Sequence, residues 1–348
     1  MLETLLRDID ATEINAFARA VQTPADYALT LSVMPERTIN SVKFRIKSTS
    51  RRVNAAKYRA WDAQTSVATR EAKRIVTEGM LPPLGQKYLV GELEQILLDT
   101  SRGADASELV ELLYQDVAAH VQSIKSRLEL AVGDLLTDGK FTLAGENGLT
   151  VEYDAGVPAA NMPTAATAWT NPAADALADE MAWIEVLRAS GAPLPTRVVT
   201  SYKARALLAS NDAYRRAFYG QPSAQTPTGV LAPNEVDAVR ARYNLPPIEV
   251  YDVQIPKDDG TMARPIPDDR WLMLPPNPQT WGETQYGVTA ESLVLSSGGN
   301  PAIEREEAPG IVVTHGHTDD PVQVWTKGAA VAMPVLYVPD IHITAKVF

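Results

Sequence analysis

The chain has 348 residues, of which 45% are hydrophobic and 22% are charged, a composition that is typical of globular proteins and excludes wholesale disorder. It contains no cysteine, which excludes disulfides, thiolate nucleophiles and cysteine-ligated zinc. The net charge of −11 is unevenly spread, because residues 37–74 hold eleven basic and two acidic groups, net +9, and the rest of the chain carries −20.

This charge split predicts contact between unlike surfaces. One interpretation of the basic segment is a solvated loop. The second interpretation is a basic arm that lies on an acidic surface of its own chain or of a neighbour. The length exceeds that of a usual single core, so we expect two domains or one domain with long excursions.

No stretch approaches the roughly 20 apolar residues that a membrane span needs, and residues 329–338 reach only about half that length. The first ten residues carry acids where a signal peptide would have basic groups. We therefore expect a soluble protein that stays in the compartment where it is made and has no membrane partner.

Apolar residues recur at mostly helical spacing in residues 2–21, which predicts one or two amphipathic helices. Residues Ile39–Lys47 alternate, which predicts a strand with one apolar and one basic face. A second extended segment is predicted at 67–76, and the prolines and glycine within 82–85 are expected to stop regular structure. We therefore predict that residues 37–81, here called the ribbon, form a long two-stranded excursion that is polar on both sides. Such a ribbon is marginally stable alone and needs a surface to lie on.

The longest helical pattern begins at Asp105, a predicted N-cap with a capping-box partner at Glu108. It predicts a helix over residues 105–137, about 45 Å long. Its apolar stripe consists of Leu109, Leu113, Val117, Val121, Ile124, Leu128, Val132 and Leu135. The spacing is not a regular heptad, so a helix packed on a sheet is favoured over a coiled coil. A hairpin is predicted at 140–156, with its turn at Asn147-Gly148.

The second half of the chain alternates between helical and extended patterns. Residues 157–171 are rich in alanine, proline and threonine, which predicts a linker. Helices are predicted at Asp175–Arg188 and Tyr202–Phe218, and a third with Asn234 as its N-cap. Strands are predicted at 195–201, 248–255, 269–275, 310–317, 322–327 and 333–347.

The stretch THGHTDDP at residues 314–321 is close to the H-x-H-x-D-H metal signature of metallo-β-lactamase-type hydrolases. A zinc-dependent hydrolase would use His315, His317 and Asp319. However, Asp320 stands where that signature has its last histidine, and two histidines supply only half of the ligands that zinc needs. We favour a polar turn between two strands.

Other catalytic patterns are missing. The chain has no G-x-S-x-G, no P-loop and no dinucleotide-binding glycine pattern. Asp258-Asp259 and Asp268-Asp269 adjoin glycine or proline between strands, where aspartate is an ordinary turn residue. The basic segment could attract nucleic acid, but it has no DNA-binding motif. We therefore predict no catalytic residue, no metal and no cofactor.

Three stretches in order resemble a known family. These are LEQILLDTSRGAD to AVGDLLTDGKFTLAGENGLTVEYDAG, then IEVYDVQIPKDDGTMARPIPDDRWLMLPP to GETQYG, and last VTHGHTDDPVQVWTKGAAVAMPVLYVPDIHITAKV. Together they resemble the major capsid proteins of tailed bacteriophages with the HK97-type fold, and most closely the lambda-type major capsid family. The resemblance covers residues 39–348.

The resemblance implies an α+β, HK97-like capsid fold whose parts follow one another along the chain. They are an N-terminal arm (1–36), an extended β-hairpin loop or E-loop (37–81), a peripheral domain (82–164) with spine helix 105–137, an axial α/β domain (165–300), and C-terminal strands (301–348) that return to the peripheral domain.

The implied function is that of a structural subunit and not of an enzyme. Copies would assemble as hexamers and pentamers into the icosahedral virion capsid of a tailed phage, in the host cytoplasm, around double-stranded DNA that they contact non-specifically. A decoration or minor capsid protein, a scaffold and a portal are the further partners that the resemblance suggests.

The ribbon gives a specific hypothesis for assembly. We expect its basic side chains to dock on an acidic patch of an adjacent subunit; they are Lys43, Arg45, Lys47, Arg51 and Arg52. Three alternatives stay open at this point: an encapsulin-type shell that holds a protein cargo, the zinc hydrolase described above, and a DNA-binding protein.

Overall fold

Two sheets and one long helix organise the computed structural model, which describes residues 11–48, 75–91, 106–146, 148–220, 228–257, 259–297, 310–319 and 322–348. The helices are α1 (Ala11–Ala20), α2 (Ala106–Asp138), α3 (Ala176–Ser190), α4 (Tyr202–Ala209), α5 (Asp212–Tyr219), α6 (Pro233–Arg242), α7 (Pro278–Trp281) and α8 (Ala290–Ser297). The strands are β1 (Glu36–Thr38), β2 (Lys43–Ser48), β3 (Ile75–Met80), β4 (Pro83–Val90), β5 (Lys140–Glu146), β6 (Leu149–Asp154), β7 (Arg197–Thr200), β8 (Ile248–Val250), β9 (Ile255–Pro256), β10 (Met262–Ala263), β11 (Arg270–Leu274), β12 (Gly282–Tyr286), β13 (Val312–Asp319), β14 (Val322–Leu336) and β15 (Ile343–Lys346).

The first sheet is built around the long strand β14. Its first half pairs antiparallel with β13 on one side and with β4 on the other. Its second half pairs antiparallel with β12, and the short strand β1 adds parallel to β12 at the edge. Strand β14 thus pairs with three strands, and two of them, β4 and β12, come from distant parts of the sequence.

The second sheet has the order β15-β11-β7-β8, and only the β7–β8 pair is parallel. We expected all of 301–348 to return to the peripheral part, but β15 pairs with β11 in this second sheet. Residues predicted as a linker run along β15, where the Ala165 amide donates to the Lys346 carbonyl at 2.8 Å. That stretch is therefore packed on the sheet and ends in the buried Trp169.

Helix α2 lies along β14, over the stretch where the apolar spacing predicted a helix. All six stripe residues whose burial is described are at most 2% exposed: Val117, Val121, Ile124, Leu128, Val132 and Leu135. The helix approaches the sheet closely because Gly328 has no side chain, and a Cβ there would lie 2.7 Å from the Cβ of His120. His120 itself is buried, stacks on Tyr88 and contacts the Thr326 hydroxyl at 3.0 Å.

Helices α3 to α6 cover the second sheet around a core in which Trp169 lies against both Trp183 and Trp271. A fully buried ion pair crosses this core, with Arg240 donating to both oxygens of Glu180 at 2.7 and 3.0 Å. The hydroxyl of Tyr214 donates to the same carboxylate at 2.8 Å. Buried charges are tolerated only with such complete pairing, so this network fixes how α3, α5 and α6 meet.

The predicted N-terminal arm, residues 1–36, lies on the body of the subunit over its described part. In α1, Ile14 and Ala18 pack against Val117 of α2 and Val313 of β13. The Asn15 side chain accepts the Val313 amide at 3.1 Å, which ties α1 to the edge of the first sheet.

Several local predictions were wrong for identifiable reasons. The predicted helix Tyr202–Phe218 is two helices, because the Asn211 side chain accepts the amides of Ala213 and Tyr214 and so starts α5. The N-cap of α6 is Ala232 and not Asn234, because Pro233 occupies the first helical position and the helix starts two residues earlier than predicted.

Two extended regions also differ from the predictions. Strand β3 ends just before the prolines, at Met80, but β4 begins at Pro83 and continues through Gly85. The predicted strand 248–255 is two short strands, β8 and β9. The hairpin predicted at 140–156 is present as β5 and β6.

Among the helices that the structure describes, none combines the length and apolar character required for a membrane span.

Gly133 in the middle of α2 generates the first prediction. A Cβ at this position would overlap the Pro265 carbonyl group, so the helix touches the Pro265 backbone directly. Alanine normally stabilises a helix interior by about 1 kcal/mol relative to glycine. Here we expect Gly133→Ala to lower the free energy of unfolding by about 1–3 kcal/mol through overpacking, measured by urea unfolding of the unassembled chain. Gly229→Ala, where a Cβ meets nothing within 4 Å, is the control, and equal effects of the two changes would contradict the contact.

His342 generates a prediction about pH. Burial lowers its pKa to about 4, and its Nδ1 accepts the indole N–H of Trp281 at 3.3 Å, so the ring is neutral in the folded chain. In the unfolded chain the imidazole binds a proton below about pH 6.5. The free energy of unfolding is therefore highest above that pH and falls as the pH drops towards 4. Burial also lowers the pKa of His120, which acts in the same direction.

We expect the wild-type chain to lose about 2 kcal/mol more stability than His342→Gln between pH 7.5 and pH 5, in urea unfolding at both pH values. Glutamine can accept the Trp281 hydrogen bond and does not titrate. The same pH dependence in both proteins would show that His342 is not held neutral by the fold.

Candidate functional site

The base of the ribbon consists of β2 and β3, which pair antiparallel from Lys43 opposite Met80 to Ser48 opposite Ile75. Burial alternates along β2, where Phe44 and Ile46 are buried and Lys43 and Arg45 are exposed. The sequence predicted this apolar face and basic face correctly. The further prediction that the ribbon is polar on both sides is wrong for its base.

Phe44 anchors the ribbon base to the body of the same subunit. Its ring meets Tyr153 of β6 edge to face, with centroids 5.3 Å apart. Gly79 on β3 leaves room for this ring, because a Cβ there would lie 2.5 Å from it. Phe44 and Ile46 belong to the main core together with residues of α2 and of both sheets. The sequence contained this signal in the alternation of β2, but the position of Tyr153 could not be read from it.

The basic residues face away from that core. Arg45 makes an ion pair of 2.7 Å with Glu78 on the opposite strand, and both side chains are 58% exposed. Such an exposed pair contributes at most about 1 kcal/mol, so Arg45 can exchange its partner at little cost. Lys43 is exposed beside Met80, a methionine that is 65% exposed.

The other candidate contact residues are less fully defined. Lys47 lies on β2 in register with Val76, two residues after Arg45. Arg51 and Arg52 lie outside the described residues, as does the rest of the segment between Ser48 and Ile75. The hypothesis that the five residues contact a neighbouring subunit therefore stays a prediction.

Both histidines of the motif lie on strand β13, within the strand predicted at 310–317, and not on the polar turn that we favoured for the motif. Strand β13 continues through His315 and His317 to Asp319, with His315 opposite Thr326 on β14. Gly316 faces Trp325, whose indole fills the space that a Cβ would occupy. Within the described ranges, the structure brings together no group of three or more potential metal ligands.

The paired aspartates behave as turn residues where they are described. The Asp259 carboxylate accepts the amide and the hydroxyl of Thr261 at 2.8 and 2.6 Å. These bonds lower the pKa of Asp259, with the hydroxyl as the larger cause. Asp268 pairs with Arg264, and Asp269 lies 3.6 Å from the Lys346 ammonium. Both aspartates thus hold the loop before β11 in place.

Comparison with protein families gives one match, to the family described as phage major capsid protein E, over residues 10–347. No curated protein matches the chain. Among solved structures, a protein described as a candidate capsid protein of a prophage in Escherichia coli CFT073 is similar with a TM-score of 0.64 and 13% identity, covering 98% of this chain and 99% of that chain.

Two further structures are similar at lower scores. A phage-related protein of Bordetella bronchiseptica RB50 has a TM-score of 0.57 and 13% identity, covering 96% of each chain. An encapsulin of Synechococcus elongatus PCC 7942 has a TM-score of 0.43 and 10% identity, covering 94% of this chain and 88% of that chain, too weak a likeness to support an argument. The similarity to the first two confirms the predicted α+β, HK97-type capsid fold.

Proposed function

Because the chain belongs to the phage major capsid protein E family, we propose that it forms an icosahedral shell of hexamers and pentamers around the double-stranded DNA of a tailed phage. Membership in this family makes it a structural, shell-forming subunit of a virion capsid. The observation that carries the proposal is the extent of the match, which includes both sheets, helix α2 and both strands of the ribbon base. Assembly in the host cytoplasm belongs to the same proposal.

We propose the domain division expected from the sequence, except that two strands, β12 and β15, change domain. The ribbon is 37–81, the peripheral part begins at 82 and contains α2, and the axial part begins at 165. Strand β12 pairs in the first sheet, so it goes with the peripheral part, and β15 goes with the axial part.

The ribbon supplies the proposed contact between subunits. A closed shell made of one chain needs complementary patches that repeat around its symmetry axes. The ribbon base is fixed to its own subunit by Phe44, while Lys43 and Arg45 face outward. Since residues 37–74 carry +9 and the rest of each subunit carries −20, the ribbon is attracted to a neighbouring body. A decoration protein, a scaffold and a portal remain further candidate partners.

Charge reversal tests this contact. Replacing Lys43, Arg45, Lys47, Arg51 and Arg52 by glutamate removes two charge units each and changes residues 37–74 from +9 to −1. We expect the yield of closed particles in negative-stain images to fall more than about tenfold, because like charges then face each other. The subunit should stay folded, with an unchanged circular dichroism spectrum, since the described side chains of this set are exposed.

The exchange Glu185→Arg with Arg188→Glu on α3 is the control. It reverses an exposed ion pair outside the ribbon and keeps the net charge of the chain, so particles should form as in the wild type. Wild-type yields of closed particles from the variant with all five glutamate substitutions would contradict the proposal.

The content of the particles separates the phage shell from an encapsulin-type shell. We expect particles released from cells to protect double-stranded DNA of uniform length against nuclease, visible on an agarose gel after protein digestion. A folded protein cargo in particles that lack DNA would favour the encapsulin-type alternative.

A further inference from the structure

Residues 21–34, here called the junction segment, connect α1 to β1 and lie where α2 and the two sheets meet. Their centre is a single π-helical turn, Leu29–Val33. Leu29, Val33 and Met34 are fully buried in the main core. The same core contains Val132 and Leu135 of α2, Met333 and Val335 of the first sheet, and Val199, Leu272 and Leu274 of the second sheet.

Glu129 of α2 holds this segment with a carboxylate that is fully buried. Its Oε1 accepts the Leu29 amide at 3.0 Å and the Tyr251 hydroxyl at 2.7 Å. Its Oε2 accepts the Thr30 amide at 2.9 Å and the Thr30 hydroxyl at 2.7 Å. Two of these donors are backbone amides at the start of the π-helical turn, where a negative charge is favourable.

This arrangement makes Glu129 more than a packing residue. A buried carboxylate is stable only when hydrogen bonds replace its lost hydration, and here four uncharged donors do so. Two come from residue Thr30, one from Leu29, and one from Tyr251, which follows β8 of the second sheet. The carboxylate therefore joins α2, the junction segment and the second sheet at one point.

Independent contacts hold the far end of the segment. Arg197 at the start of β7 donates to the Ser32 carbonyl at 2.6 Å and to the Ser32 hydroxyl at 3.0 Å. The Thr284 hydroxyl of β12 donates to the Met34 carbonyl at 3.0 Å. The segment is thus bonded to both sheets as well as to α2, and a shift of one sheet against the other requires it to move.

We propose that the junction segment sets the angle between the two sheets and thereby the curvature of the shell, with Glu129 as the positioning residue. The inference rests on the proposed function, because curvature has meaning only in a closed shell. Every subunit repeats the same angle, so a small error in it accumulates around the symmetry axes and alters the diameter or prevents closure.

Two matched substitutions of buried tyrosines test this role. Tyr251→Phe removes one donor from Glu129, and Tyr214→Phe removes one donor from Glu180 in the core of the second sheet. Both change the same atom in a buried tyrosine–carboxylate bond, but only Tyr251 acts on the junction segment. Glu129→Gln is the stronger variant, because an amide has only one oxygen to accept these bonds.

Two measurements are needed. Hydrogen exchange of the unassembled subunit reports whether the Leu29 and Thr30 amides are released, and we expect Glu129→Gln to speed it by at least about tenfold. Cryo-electron microscopy of assembled particles reports their diameters. We expect Tyr251→Phe and Glu129→Gln to give a broader range of diameters or open sheets, and Tyr214→Phe to give particles of wild-type diameter.

Three results would overturn the inference. The first is unchanged exchange at Leu29 and Thr30 in Glu129→Gln. The second is uniform wild-type diameters from Tyr251→Phe and from every variant in which exchange is faster. The third is equal broadening by Tyr214→Phe, which would indicate general destabilisation.

If Glu129→Gln does not fold, Tyr251→Phe is used for both the hydrogen exchange and the particle diameters, because it keeps three of the four donors. Failure of the wild-type chain to form closed particles would overturn the proposed function as well, whereas failure of the inference alone leaves the wild-type chain still able to form closed shells.

Discussion

The base of the ribbon is fixed by apolar contacts on one face and exposes basic side chains on the other. The proposed contact between subunits depends on this arrangement. Phe44 and Ile46 lie in the main core, while Lys43 and Arg45 on the same strand point the other way. A two-stranded ribbon buries too little surface to be stable by itself. The base of the ribbon is therefore fixed within the subunit, and its described basic side chains face away from that core.

The two sheets must keep a fixed relation if such a contact is to repeat in a shell. The first sheet is tied to α2 along β14, and the second is covered by helices around the Glu180–Arg240 pair. The junction segment lies between them and makes hydrogen bonds to both through Arg197 and Thr284. Buried polar groups that are fully paired, and not apolar packing alone, thus fix the relation between the sheets.

The sequence was informative where periodicity is local. The stripe of α2 and the hairpin of β5 and β6 were predicted because spacing and turn chemistry act within a few residues. Strand β13 continues to Asp319, past the predicted end at residue 317, because it pairs with β14 along its whole length. The parallel pairing of β1 with β12 joins residues about 250 positions apart, and no local pattern indicates it. Glu129 was missed for the same reason, because its donors lie about 100 residues away on either side.

The most direct test of the proposed contact between subunits is a cryo-electron microscopy map of the assembled particle at side-chain resolution. We predict that each ribbon crosses to an adjacent subunit and that Lys43 and Arg45 lie within about 4 Å of carboxylates of that subunit. Ribbons that lie on their own bodies, with those side chains in solvent, would contradict it.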